Sequence, residues 1–77
     1  MKLEIISPSE IMFSGEVDSV TLPGVAGQFT VLKNHASLIS VLRPGEVRYN
    51  SGGIDTRVDI KGGIVDIDMN KISVCVY

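Results

Sequence analysis

The sequence predicts an all-β fold: a small flattened two-sheet β-sandwich of about eight to ten short strands, forming one domain over residues 1–77. Three observations predict it. Apolar and polar residues alternate with a period of two through most of the chain, as a strand with one wet face requires. Gly, Pro or Asn interrupts that alternation at short intervals, which leaves room for strands and turns and little room for helix. Apolar residues make up 44% of the chain and charged residues 21%, enough apolar material for a core and too little charge for a disordered tail.

Residues 2–7, KLEIIS, read as a strand closed by Pro8, and residues 10–13, EIMF, as a short strand with a bulge or turn at Gly15. EVDSVTL (16–22) is the third strand and ends at Pro23-Gly24, with Gly27 closing the loop before the apolar strand QFTVL (28–32). Residues 33–43, KNHASLISVLR, have the one helical alternative, because Leu38 and Leu42 fall at i, i+4. Their β-branched content and the short span before Pro44 favour a strand. EVRYN (46–50) turns Val47 and Tyr49 to one face, and Ser51-Gly52-Gly53 supplies the positive φ values of a hairpin loop. IDTRVDI (54–60) places Ile54, Thr56, Val58 and Ile60 inward and Asp55, Arg57 and Asp59 outward. IVDIDM (64–69) turns Val65, Ile67 and Met69 inward. Asn70 then marks a tight hairpin into KISVCVY (71–77), whose inward residues are Ile72, Val74 and Val76. Gly62-Gly63 marks a sharp bend or a close backbone approach.

Seven Lys and Arg against nine Asp and Glu give a formal charge of −2, and the basic residues are scattered, which speaks against nucleic-acid binding. Two Phe and two Tyr are too few for a base-stacking platform. The single cysteine, Cys75, has no partner for an internal disulfide; its apolar-alternating run predicts a buried, inert thiol and fits a reducing compartment. No apolar stretch approaches the roughly 18 residues of a spanning helix, so no direct membrane insertion is expected. The start, MKLEIISPSE, lacks a signal-peptide core, and the chain is expected to begin at or near Met1.

Catalysis finds little support. The only histidine, His35, lies in the polar break of VLKNHASLI and has no acid or nucleophile at a diagnostic spacing. A Cys75–His35 dyad needs a thiol that its apolar neighbours would keep protonated, and Ser40 has no glycine-framed elbow. Asp66 and Asp68 share one strand face at i, i+2, the spacing of a solvated outer face more often than of a cation site. Gly62-Gly63 is followed by no helix and no Lys-Ser/Thr, as a phosphate loop would require. No catalytic, metal or cofactor residue is expected, which leaves a surface that binds a partner. Polar loop material collects at Gly27-Gln28 and at Lys33-Asn34-His35-Ala36-Ser37, on either side of QFTVL. Two loops joined through one strand are expected to lie together at one end or edge of the sandwich.

These residues also carry a family likeness. The run LPGVAGQFTVLKNHASLISVLRPGEVR (22–48) resembles the epsilon subunit of F-type ATP synthases, with its Gly-rich loop, short apolar strand, G-H-A-P-L-like loop and L-x-P-G. MFSGEVDSVTLPG (12–24) is similar to that family's first hairpin, and IKGGIVDI to its S-G-G-I-x-E/D-V strand. Departures are Lys33-Asn34 in place of the usual Pro-Gly, Ser37 in place of a Pro, and Thr30 in place of a Gly. The resemblance implies a non-catalytic rotor subunit of the central stalk, peripheral to the cytoplasmic face of the cell inner membrane. One side of the sandwich packs on the gamma subunit, and the His-bearing end rests on the polar loops of the c-ring. Gln28, Lys33, Asn34, His35 and Ala36 are then the candidate ring contacts, against the plainer reading of His35 as a loop residue bonded to its own backbone. The family usually continues into a C-terminal helical hairpin. Without it, neither self-inhibition nor nucleotide binding is expected. The alternatives are a free-standing ligand-binding or adaptor β-domain and, more remotely, a small hydrolase using His35.

Overall fold

The computed structural model describes residues 1–77 as nine strands without a helix. They are β1 (Lys2–Ile6), β2 (Ile11–Glu16), β3 (Ser19–Gly24), β4 (Gly27–Val31), β5 (Leu38–Leu42), β6 (Gly45–Ser51), β7 (Ile54–Ile60), β8 (Gly63–Asp68) and β9 (Lys71–Val76). Hydrogen bonding runs β2-β1-β9-β8-β5-β3-β6-β7, with β4 on the other side of β3. One layer is therefore β2-β1-β9-β8-β5 and the other β4-β3-β6-β7. They meet at one corner, where the only β3–β5 pair is Gly24 with Leu42. Bonds from the Val25 amide to the Val41 carbonyl (3.0 Å) and from the Arg43 amide to the Pro23 carbonyl (2.9 Å) flank it. The result is a sandwich of 26 × 23 × 17 Å whose two sheets are one ladder folded over at a corner.

The inward residues of the two layers meet to form the core. Leu3, Ile5, Val65, Ile67, Ile72 and Val74 come from one layer, and Val20, Leu22, Val31, Val47 and Tyr49 from the other. Each fully buried Leu or Ile contributes about 1.5–3 kcal/mol relative to exposure, so period-two patterning alone goes far toward fixing this arrangement. Phe13 closes the core at the β2 edge, its ring stacked 4.3 Å from that of Tyr49 in the opposite layer. Val47, Tyr49, Val65, Ile67, Ile72, Val74 and Val76 thus lie where the alternation places them. The segment with a helical alternative is strand β5.

Within the strands and turns themselves, the structure departs from the sequence reading in four places. Strand β2 continues through Gly15 to Glu16, because Gly15 pairs with Leu3; the irregularity falls at Met12, which Ile6 and Ile5 bypass by pairing with Ile11 and Phe13. Strand β7 has the expected alternation, but only Ile60 is buried and Val58 half-buried, while Ile54 and Thr56 are exposed. It is the last strand of its layer and pairs with β6 alone, so its first half has no opposing layer to bury it. Met69 is 78% exposed, because β8 stops at Asp68 and Met69 occupies the turn. Cys75 is exposed, since it alternates outward between buried Val74 and Val76.

Gly62-Gly63 serves both expected purposes. Gly62 has φ 123°, and a Cβ on Gly63 would collide with the backbone carbonyl of Cys75. Only glycine lets β8 approach β9 at this position.

Candidate functional site

Residues 32–37 connect β4 to β5 and carry four of the five candidate contacts. Asn34 adopts φ 62°, a left-handed conformation that Asn tolerates better than most residues. The Asn34 amide donates to Oδ1 of Asn70 at 3.2 Å, and the Ser37 hydroxyl donates to Oδ1 of Asp68 at 3.4 Å. Asp68 is the last residue of β8 and Asn70 belongs to the turn that follows it. That turn is held in place by the Lys2 amide, which donates to the Asn70 carbonyl at 2.8 Å. The loop is therefore moored to a hairpin about half the chain away in sequence.

His35 is half-buried within the loop. Its Nδ1–H donates to the Ala36 carbonyl at 2.7 Å, the local backbone bond of the plainer reading. That bond fixes the ring and leaves Nε2 as the nitrogen available to a partner. Lys33, Asn34 and Ala36 are exposed beside it.

Gln28 is not with them. It is exposed near the start of β4, opposite Pro23, close to a hairpin tip that bonds to Val41. At about 3.3 Å per residue, β4 carries the chain about 13 Å from Gln28 to Leu32. The two polar loops thus sit at opposite ends of β4, and the expectation that they lie together fails because the strand between them is fully extended. Lys33, Asn34, His35 and Ala36 form one cluster and Gln28 stands apart.

The reactive pairs considered from sequence are also separated. Cys75 lies opposite Ile64, toward the far end of β8, whereas the His35 loop enters β5 at Leu38, opposite Ile67. The Ser40 hydroxyl reaches only its neighbour's carbonyl, at 3.5 Å from Val41 O. Asp66 and Asp68 both face solvent.

Sequence reading missed two features. The first is that the Met69-Asn70 turn, which the sequence does mark as a tight hairpin, lies beside the His35 loop, a placement that depends on the β5–β8 register. The second is a row of apolar side chains on the outer face of the five-stranded layer. Val41 pairs with Ile64, Ile64 with Cys75, Cys75 with Ile6, and Ile6 with Ile11. Val41, Ile64 and Ile11 are 50%, 46% and 65% exposed. The next row toward the His35 loop holds Ile39, Asp66, Ser73, Glu4 and Ser14, and the row after that Asp68, Lys71, Lys2 and Glu16. The face therefore grades from apolar to charged as it nears the loop. The outer face of an antiparallel sheet is commonly polar, and here five adjacent strands contribute instead to one apolar row.

The match to known proteins covers the whole chain. A family model described as the ATP synthase delta/epsilon chain β-sandwich domain matches residues 1–77. The ATP synthase epsilon chain of Rhodopseudomonas palustris (strain BisA53) is 39% identical over 71 residues, covering 92% of this chain and 53% of the relative. That of Nitrobacter winogradskyi is 37% identical over the same length, with the same coverage. Among solved structures, a chain of the Euglena gracilis mitochondrial ATP synthase OSCP/F1/c-ring assembly superposes with a TM-score of 0.90 at 22% identity, over 96% of this chain and 48% of that one. A chain of the Tetrahymena thermophila mitochondrial ATP synthase central stalk and c-ring superposes with a TM-score of 0.83 at 13% identity, over 97% of this chain and 61% of that one. The chain spans about half the length of the curated relatives it matches.

Proposed function

Because the chain belongs to the ATP synthase delta/epsilon chain β-sandwich family, we propose that it is a non-catalytic rotor subunit of the central stalk of an F-type ATP synthase. In this role it links gamma to the c-ring, so that ion-driven rotation of the ring reaches the catalytic head. The subunit sits peripherally at the cytoplasmic face of the membrane. Its apolar row packs on gamma, and Lys33, Asn34, His35 and Ala36 meet the polar loops of the ring.

The observation that carries this reading is the gradient on the outer face of the five-stranded layer. A body wedged between two partners needs one contact that is dry and tight and another that suits polar loops at a membrane surface. The row Val41, Ile64, Cys75, Ile6 and Ile11 has the character of the first, and the moored loop with its free His35 Nε2 that of the second. Transmission also requires stiffness. The two layers share a close-packed core and a ladder continuous around the corner at Gly24 and Leu42. Gln28, at the other end of β4, reaches the ring only where the contact extends along that edge.

Titration with purified gamma tests the assignment. Binding to the folded form alone stabilises by about 2.7 kcal/mol at a hundredfold excess over Kd. The melting temperature of the chain therefore rises with gamma concentration. An unchanged melting temperature at saturating gamma refutes a stalk interface.

A further inference from the structure

The two-residue turn between β8 and β9, Met69-Asn70, carries more than a change of direction requires. Met69 is held at φ 55°, a conformation for which Gly, Asn or Asp is the unstrained choice. Its side chain buries nothing, being 78% exposed. An unbranched apolar side chain kept in a disfavoured conformation and presented to solvent serves the fold poorly, and it is the kind of local strain that collects at binding surfaces. The turn also lies against the His35 loop. Asn70 Oδ1 accepts from the Asn34 amide and Asp68 Oδ1 from the Ser37 hydroxyl, which brackets Met69 between two bonds into that loop. Leu32, 59% exposed, stands at the loop's other margin.

We propose that the Met69-Asn70 turn is the second limb of the ring-facing surface, with Asn70 as the positioning residue of the His35 loop and Met69 as an apolar contact for the same partner. The proposal rests on the reading of the His35 loop as ring-facing. The partner is a polar loop of the c-ring. Its backbone groups and side-chain termini meet Asn34, Lys33 and His35 Nε2, and its aliphatic carbons meet Met69 and Leu32. A thioether with three rotatable bonds suits a partner that presents many near-identical turns as the rotor is assembled on it. Asn70 acts through Asn34: its carboxamide oxygen holds the amide of the one loop residue whose backbone is left-handed, and so sets the direction in which the His35 segment leaves β4.

The test measures affinity of the chain bound to gamma for detergent-purified c-ring, alongside the melting temperature of each variant. Met69→Gly removes the contact and relieves the backbone, so ring affinity falls about threefold or more while the melting temperature holds or rises. Asn70→Ala weakens ring binding and speeds hydrogen exchange at the Asn34 amide. Asn70→Asp, whose carboxylate still accepts that bond, restores both. Unchanged ring affinity for Met69→Gly and Asn70→Ala, with Lys33→Glu and His35→Ala weakened, overturns the proposal and leaves the His35 loop as the contact. Unchanged affinity for all four overturns the ring-facing reading of the loop, and this proposal with it.

Discussion

Ile64 and Cys75 stand directly opposite each other on β8 and β9, and both side chains point away from the core. This pair is the centre of the apolar row from Val41 to Ile11, and the row has no partner within the chain. Replacing Ile64 with Lys leaves the core untouched, so the stability of the free chain changes by no more than about 0.5 kcal/mol. On the proposed contact of this row with gamma, binding is largely lost, because the charge is desolvated without a partner. Calorimetric titration of the variant with gamma, set beside its melting curve, separates the two effects.

Gly63 is a requirement of the fold rather than of the interface. A Cβ there collides with the Cys75 carbonyl and lies 3.0 Å from Val76 Cα, both backbone atoms that cannot move without opening the β8–β9 ladder. Gly63→Ala costs about 1–3 kcal/mol, and at about 4–8 °C per kcal/mol in a domain of this size the melting temperature falls correspondingly. Gly52→Ala is a useful contrast. Its Cβ meets nothing within 4 Å, so its cost comes from the positive φ of 60° alone, and it should be the milder of the two.

Thr21 is the one buried polar side chain, 8% exposed, and its hydroxyl is bonded to that of Thr30 at 2.9 Å across β3 and β4. Removing the Thr30 hydroxyl leaves the buried Thr21 hydroxyl short of a partner, whereas exposed Thr30 turns to water when Thr21 loses its own. Thr30→Val therefore costs about 1 kcal/mol and Thr21→Val less. The double variant is less destabilised than the sum of the two, with a coupling of about 0.5 kcal/mol or more. Denaturant unfolding of all four proteins closes the cycle, and strict additivity contradicts the bond.

His35 contributes little to stability, because its ring bonds only the carbonyl of the next residue, Ala36. His35→Ala shifts the unfolding free energy by no more than about 0.5 kcal/mol and weakens coupling of ATP hydrolysis to ion transport only modestly. Parallel melting curves and ion-pumping assays on the assembled complex check both parts.

What was legible in the sequence depended on the range of the interactions involved. Val47, Tyr49, Val65, Ile67, Ile72 and Val74 could be read inward because their strands lie within a layer that is covered along its length. The same alternation misled at Ile54 and Thr56, since an edge strand repeats the pattern beyond the reach of the opposite layer. Met69 was one residue past the end of its strand, and nothing local marked where pairing would stop. Gln28 and His35 flank one strand in the sequence, and the extended geometry of that strand is what separates them in space. The apolar row could not be read at all. Val41, Ile64, Cys75, Ile6 and Ile11 come from five strands, and only the register between them puts the residues in line.

The proposed rotor role requires this chain to turn with gamma. The lone thiol of Cys75, exposed in the middle of the apolar row, allows a direct test. A bifunctional thiol reagent links Cys75 to a cysteine introduced on the facing surface of gamma in the assembled complex, and ATP-driven rotation of single molecules is recorded before and after linking. Rotation at an undiminished rate after complete cross-linking is the predicted result. Failure of the cross-link to form at any facing position of gamma, or arrest of rotation when it forms, contradicts the account.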